Sequence, residues 1–153
     1  MQQQAPNKMV TRILWVVLVF SQCIYLVIPS PESVGGPPPM FPAILGAVAV
    51  AQAAGVLLFF RVAGVSKVRA GALDPLTAEG LGRLFVVLIM SWVLTEGIAI
   101  YGLVLRFLGA PMWQGGLFSL GAFVLMGATN PWQEGLKPPV SSAERGRDAT
   151  PID

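Results

Sequence analysis

Four long stretches of the chain are almost free of charged residues, and polar or helix-breaking segments part them. They run over residues 13–28, 41–60, 84–107 and 112–128, each near the ~20 residues that an α-helix needs to cross ~30 Å of hydrocarbon. The segment from Ser30 to Pro39 (SPESVGGPPP) cannot continue a helix, because proline lacks the backbone donor and clashes with the preceding turn. Leu108-Gly109-Ala110-Pro111 separates the third and fourth stretches so briefly that it predicts a tight helical hairpin. Residues 62–83 are mixed and polar. Within them Asp74-Pro75 reads as a helix N-cap followed by proline at the first helical position. The third helix is thereby predicted to start in water, about two turns ahead of the membrane. From Gln133 to Asp153 the chain is rich in proline, serine and charge, which predicts disorder. The division is into a four-helix transmembrane domain, 1–132, and a cytoplasmic tail, 133–153.

Composition supports the membrane reading. Apolar residues make up 54% of the chain and charged residues 12%, half the ~25% of a soluble domain, and mean hydropathy is +0.68. Histidine is absent and Cys23 is the single cysteine. A disulfide framework, a Cys/His zinc site, a Cys–His pair and a Ser–His–Asp triad are thereby excluded. No metal or cofactor is predicted, and no nucleophile–base pair or phosphate loop points to an enzyme. A net charge of +2 without a basic, aromatic-interleaved stripe excludes a nucleic-acid partner. The partner implied is the lipid bilayer.

Orientation follows from the basic residues. With the N-terminus in the cytoplasm, nine of the ten Lys and Arg residues share that side and Arg106 alone lies opposite. The expected fold is an all-α, antiparallel bundle of four spans with both termini cytoplasmic, in a bacterial inner (plasma) membrane. Lys8 and Arg12 precede a long first apolar run with no Ala-x-Ala site after it, and glutamine stands where a lipoprotein site needs a small residue before Cys23. The first span therefore reads as a retained signal anchor. Trp15, Trp113 and Trp132 fall near span ends, as interfacial tryptophans do, whereas Trp92 stands one turn before Glu96 and reads as its shield from lipid.

Glu96 is the only acidic residue in the four stretches, thirteenth of the twenty-four from Leu84 to Phe107. A carboxylate at that depth costs ~2.5–3.5 kcal/mol on insertion scales. Desolvation penalises its charged form, so the acid is neutral in lipid and ionises beside water or a cation. Such a group can pick up and release a proton. It can equally stay protonated and hydrogen-bonded as a packing contact, with Thr95, Ser91, Gln52 and Gln22 as candidate partners. In the second stretch Ala47, Ala49, Ala51, Ala53 and Gly55 put small residues at alternate positions, which lets another backbone approach closely, and Gln52 stands among them at about the depth of Glu96.

Glu96-Gly97-Ile98-Ala99-Ile100-Tyr101-Gly102-Leu103-Val104 resembles the proton-binding helix of the proteolipid c subunit of rotary ATP synthases, in which a mid-membrane glutamate is followed five residues on by tyrosine and then Gly-Leu-Val. That family's other helix carries small residues at alternate positions and is joined to the first by a polar cytoplasmic loop. Asp74-Pro75-Leu76-Thr77-Ala78-Glu79-Gly80 is similar to the lead-in of its second helix. The resemblance covers residues 41–107. It implies that Glu96 carries a proton, that Gln52, Thr95 and Tyr101 are neighbours in the site, and that the chain translocates ions for other membrane subunits or in a homo-oligomer. Four features depart from the family. Residues 61–83 contain no Arg-Gln-Pro triplet, alanine replaces most of the repeated glycine, and a helix flanks the hairpin on each side. Gly97-Ile98 also stand where sodium-binding members have Ser-Thr, which makes a proton the ion. The other reading of the same residues is a small four-helix membrane protein with a structural or accessory role, in which Glu96 is a buried assembly contact.

Overall fold

A computed structural model describes residues 8–29, 35–132 and 136. The described residues fold into helices with no strand: α1 (Lys8–Val27), α2 (Met40–Arg69), α3 (Ala78–Phe107) and α4 (Met112–Ala128). The first three contain stretches long and apolar enough to cross a membrane, and α4 is a shorter apolar helix.

Three boundaries differ from those predicted. Helix α1 begins at Lys8 rather than Ile13, since nothing in Met9–Arg12 breaks a helix. Helix α2 does not stop at Phe60. It passes through a π-helical stretch, Phe60–Val65, and resumes as α-helix over Ser66–Arg69. The apolar residues scattered through this polar segment explain the extension, because Phe60 and Val68 are buried against α3 and its neighbours. Asp74-Pro75 is not the cap of α3. The Asp74 carboxylate accepts from the Leu76 amide (2.8 Å) and its carbonyl from the Thr77 amide (3.2 Å), closing a turn ahead of the helix. Thr77 is the N-cap, its hydroxyl oxygen accepting from the Gly80 amide at 3.1 Å.

Between α3 and α4 the turn is built on Gly109, whose φ of +83° is costly for any residue with a Cβ. The Gly109 amide donates to the Arg106 carbonyl (3.0 Å) and the Ala110 amide to the Leu105 carbonyl (2.9 Å), the paired bonds of a Schellman stop, and Pro111 then opens α4. The two helices touch backbone to backbone. A Cβ on Gly102 would stand 2.5 Å from the Gly115 carbonyl oxygen, and one on Gly115 would stand 2.8 Å from that of Gly102. Ser91, Thr95 and Ala99 continue a buried small-residue stripe along α3 at helical spacing, and Ser119 and Ala122 do so along α4.

Helices α1 and α2 each pack against both α3 and α4 but not against one another, which puts them on opposite flanks of the central pair. Their directions alternate. The Trp15 indole of α1 donates to the Met126 carbonyl near the end of α4 (3.2 Å), and Gly64, late in α2, lies over Val87, early in α3. Trp132 meets the Trp15 ring edge-on at 5.1 Å, with the Arg12 guanidinium 5.8 Å from its centre, so residues 12 and 132 share one end of the bundle. Trp92 is fully buried, not facing outward. Its indole donates to the Thr129 carbonyl (3.0 Å), and it joins a core cluster with Phe60, Leu84, Leu88, Met126 and Leu136. Leu136 is the one described residue of the predicted tail; the rest of the tail and Ser30–Val34 lie outside the described residues. The outer faces carry exposed Val16, Phe20, Val48, Leu58, Val93 and Leu120, the surface expected of helices that face lipid.

Candidate functional site

The polar chemistry of the bundle interior gathers at three places along α3, and Glu96 is the centre of the first. Its carboxyl turns to α1. The Ser21 hydroxyl oxygen lies 2.7 Å from Oε1, and the Gln22 side-chain amide donates to Oε2 at 3.2 Å. The Tyr25 hydroxyl faces the same carboxyl and the Ser21 hydroxyl. Ser21 and Tyr25 are four residues apart and Gln22 lies beside them, so a single face of α1 presents all three. Gln22 is completely buried, and its own Oε1 has no hydrogen-bond partner within the described residues. Glu96 itself is half-buried.

The Ser21 hydroxyl has two acceptors in reach, the Leu18 carbonyl of its own helix at 2.6 Å and Glu96 Oε1 at 2.7 Å.

Of the residues predicted to surround Glu96, Gln22 does so, whereas Gln52, Tyr101 and Thr95 turn elsewhere. Gln52 projects from α2 over Gly97, where its amide donates to the Leu94 carbonyl (2.6 Å) and its oxygen accepts from the Tyr101 hydroxyl (2.9 Å). Gln52 and Tyr101 thus form a second polar contact on the α2 side of α3, while Glu96 serves the α1 side. Glu96 and Gly97 are consecutive, and the ~100° turn per residue of a helix directs them to different flanks. Thr95 is fully buried and donates to the Ser91 carbonyl of its own helix (2.8 Å).

The third place was not anticipated. Arg106, only 5% exposed, donates to the carbonyls of Tyr25 (2.6 Å), Leu26 (3.2 Å) and Ile28. Among the described residues these oxygens at the end of α1 have no later amide to accept from, since Pro29 carries none, and the Arg106 guanidinium caps them instead. The side chain crosses Gly115 to reach them. A signal did exist: Arg106 is the lone basic residue at its end of the predicted topology, beside an apolar hairpin that gives a charge no evident partner.

No group of three or more potential metal ligands occurs among the described residues. In comparison with known proteins, the chain matches no family model, and no curated protein or solved structure is similar enough to register.

Proposed function

We propose that the protein is a four-pass integral membrane protein, with both termini in the cytoplasm of a bacterial cell, in which Glu96 is a proton-bearing contact that fastens α1 to the α3–α4 pair. The observation that carries this reading is the convergence of Ser21 and Gln22 on one carboxyl, with Tyr25 beside them. An acid held neutral and hydrogen-bonded avoids the cost of a charge in hydrocarbon and still specifies which face of α1 meets α3. The orientation is supported by exposed Arg12, Arg61, Lys67, Arg69 and Arg83 gathering toward the end of the bundle that holds Trp132. Glu96→Leu removes the acid and strands Gln22, so the melting midpoint in mild detergent should fall, by about 1–3 kcal/mol of stability. Glu96→Gln keeps a donor and an acceptor in place and should remain within about 1 kcal/mol of wild type. Equal losses in both variants would overturn the contact reading.

A second reading is proton translocation in the manner of a c subunit, with other membrane subunits or further copies of the chain as partners. It is favoured by the half-exposure of Glu96 and by the Glu96-to-Val104 stretch that it shares with that family. Dicyclohexylcarbodiimide modifies protonated carboxyls open to lipid. For a carrier, Glu96 should react, more slowly as pH rises, and the purified protein should form a ring of many copies. An unreactive Glu96 in a monomer or dimer would sink this reading.

A further inference from the structure

We infer that the water-facing end of the bundle binds anionic phospholipid headgroups, through Arg61, Lys67 and Arg69 on the extension of α2 and Arg12 on α1. This surface rests on the membrane reading proposed above only in that this end meets water at a bilayer face. All four side chains are exposed, and none has a carboxylate within ion-pair reach among the described residues. The two described acids at this end are already engaged. Glu79 pairs with Arg83 at 2.7 Å, and the Asp74 carboxylate accepts from the Leu76 amide at 2.8 Å. Four cations are left for a partner outside the described residues to neutralise.

The register of α2 on α3 sets the depth of these charges. Gly64 lies over Val87, and a Cβ on it would stand 3.4 Å from Val87 Cγ1. Val87 precedes Arg106 by nineteen residues, about 28 Å by helical rise and close to the ~30 Å of a hydrocarbon core. With Arg106 capping α1 at the far boundary, Gly64 stands at the near one. Arg61 is less than a turn inside it, and its aliphatic stem is long enough to lift the guanidinium to the phosphate layer. Lys67 and Arg69, less than two turns beyond, stand in that layer. Arg12 reaches the same end of the bundle on α1, its guanidinium 5.8 Å from the centre of the Trp132 ring.

Packing fixes the array. Phe60, Gly64 and Val68 are buried across the π-helical stretch, so the three cations of α2 ride on a held helix rather than a free loop. Exposed apolar side chains stand beside the charges: Phe59 and Val62 next to Arg61, and Met9, Val10 and Ile13 next to Arg12. A soluble polyanion would neutralise the cations and leave those side chains in water. A phospholipid offers phosphate to the first and acyl chains to the second, which selects lipid over a nucleic acid or an acidic peptide. In a zwitterionic lipid the headgroup ammonium offsets the phosphate, so a headgroup with net negative charge is favoured.

Spin-labelled phosphatidylglycerol and phosphatidylcholine, each added in trace to phosphatidylcholine vesicles holding the full-length protein, provide the test. Phosphatidylglycerol should enter the motionally restricted layer around the protein several-fold more readily at low salt, and the preference should shrink as salt screens the charges. Removing one cation should weaken it by at most about fivefold. Arg61→Gln/Lys67→Gln/Arg69→Gln should lose most of it, whereas Glu79→Gln/Arg83→Gln removes a matched pair and should keep it. Should the triple variant not assemble, Arg61→Gln and the salt titration of wild type serve in its place. No preference in wild type, one indifferent to salt, or one retained by the triple variant overturns the lipid surface. Orientation is read separately, by a membrane-impermeant amine reagent on Lys67 in intact cells and in inverted membranes. Lys67 modified from outside the cell, with the preference present, overturns the cytoplasmic placement and supports the lipid surface. A missing preference with Lys67 modified only in inverted membranes overturns the lipid surface and supports the placement.

Discussion

Gly102→Leu should be the most damaging single substitution in the bundle, lowering stability in mild detergent by about 3 kcal/mol or more. Its Cβ would meet the Gly115 carbonyl oxygen at 2.5 Å and the Phe118 Cβ at 2.9 Å. The nearest atom is backbone, so no rotamer change relieves the clash. The two helices must separate, and the buried Ala99, Ala122 and Ser119 lose their packing with them. Gly116→Leu is the control: its Cβ would have nothing within 4 Å, and the variant should melt with wild type. Thermal unfolding followed by size-exclusion chromatography separates the two. Equal behaviour of both variants would contradict the close α3–α4 approach.

Arg106→Met should cost nearly as much, about 3 kcal/mol, through a different mechanism. Methionine retains part of the aliphatic stem over Gly115 but leaves the Tyr25, Leu26 and Ile28 carbonyls without their cationic donor at the end of a helix. Arg106→Lys should recover part of the loss, because an ammonium donates but cannot fork across three oxygens. The measurement is the melting midpoint of each variant, read with the mobility of a Cys23 label that reports detachment of α1. A Met variant with wild-type stability would mean that the cap is dispensable.

The helices were legible because charge is so scarce. The apolar stretches at 41–60, 84–107 and 112–128 each lie within a helix or within one residue of its end, and the Gly109–Pro111 stop was readable from residue types alone. Two features at the water-facing end were not. The continuation of α2 to Arg69 is hidden by Arg61, Ser66 and Lys67, whose side chains point away while Phe60, Gly64 and Val68 bury the other face. The Asp74 turn mimics a cap because the same carboxylate chemistry serves an Asx-turn and a helix start.

The site divides similarly. Glu96 was identifiable by its depth, and Gln22 stood among its candidate partners, but Ser21 and Tyr25 did not. Which flank of α3 receives α1 is set by the packing of α3 on α4, and no periodicity in α1 encodes it. Gln52 and Tyr101 were matched to Glu96 by depth, and depth alone cannot distinguish residues on opposite sides of one helix.

The placement of α1 and α2 on opposite flanks also bears on how the chain is made. Ser21 lies 75 residues ahead of Glu96, and the helix synthesised between them offers α1 no surface. At typical rates of translation the ribosome needs roughly 4–15 s to cover that distance. For that interval the first helix waits among lipids with a serine and a glutamine unmatched, and its hold on the bilayer depends on the aliphatic and aromatic residues around them.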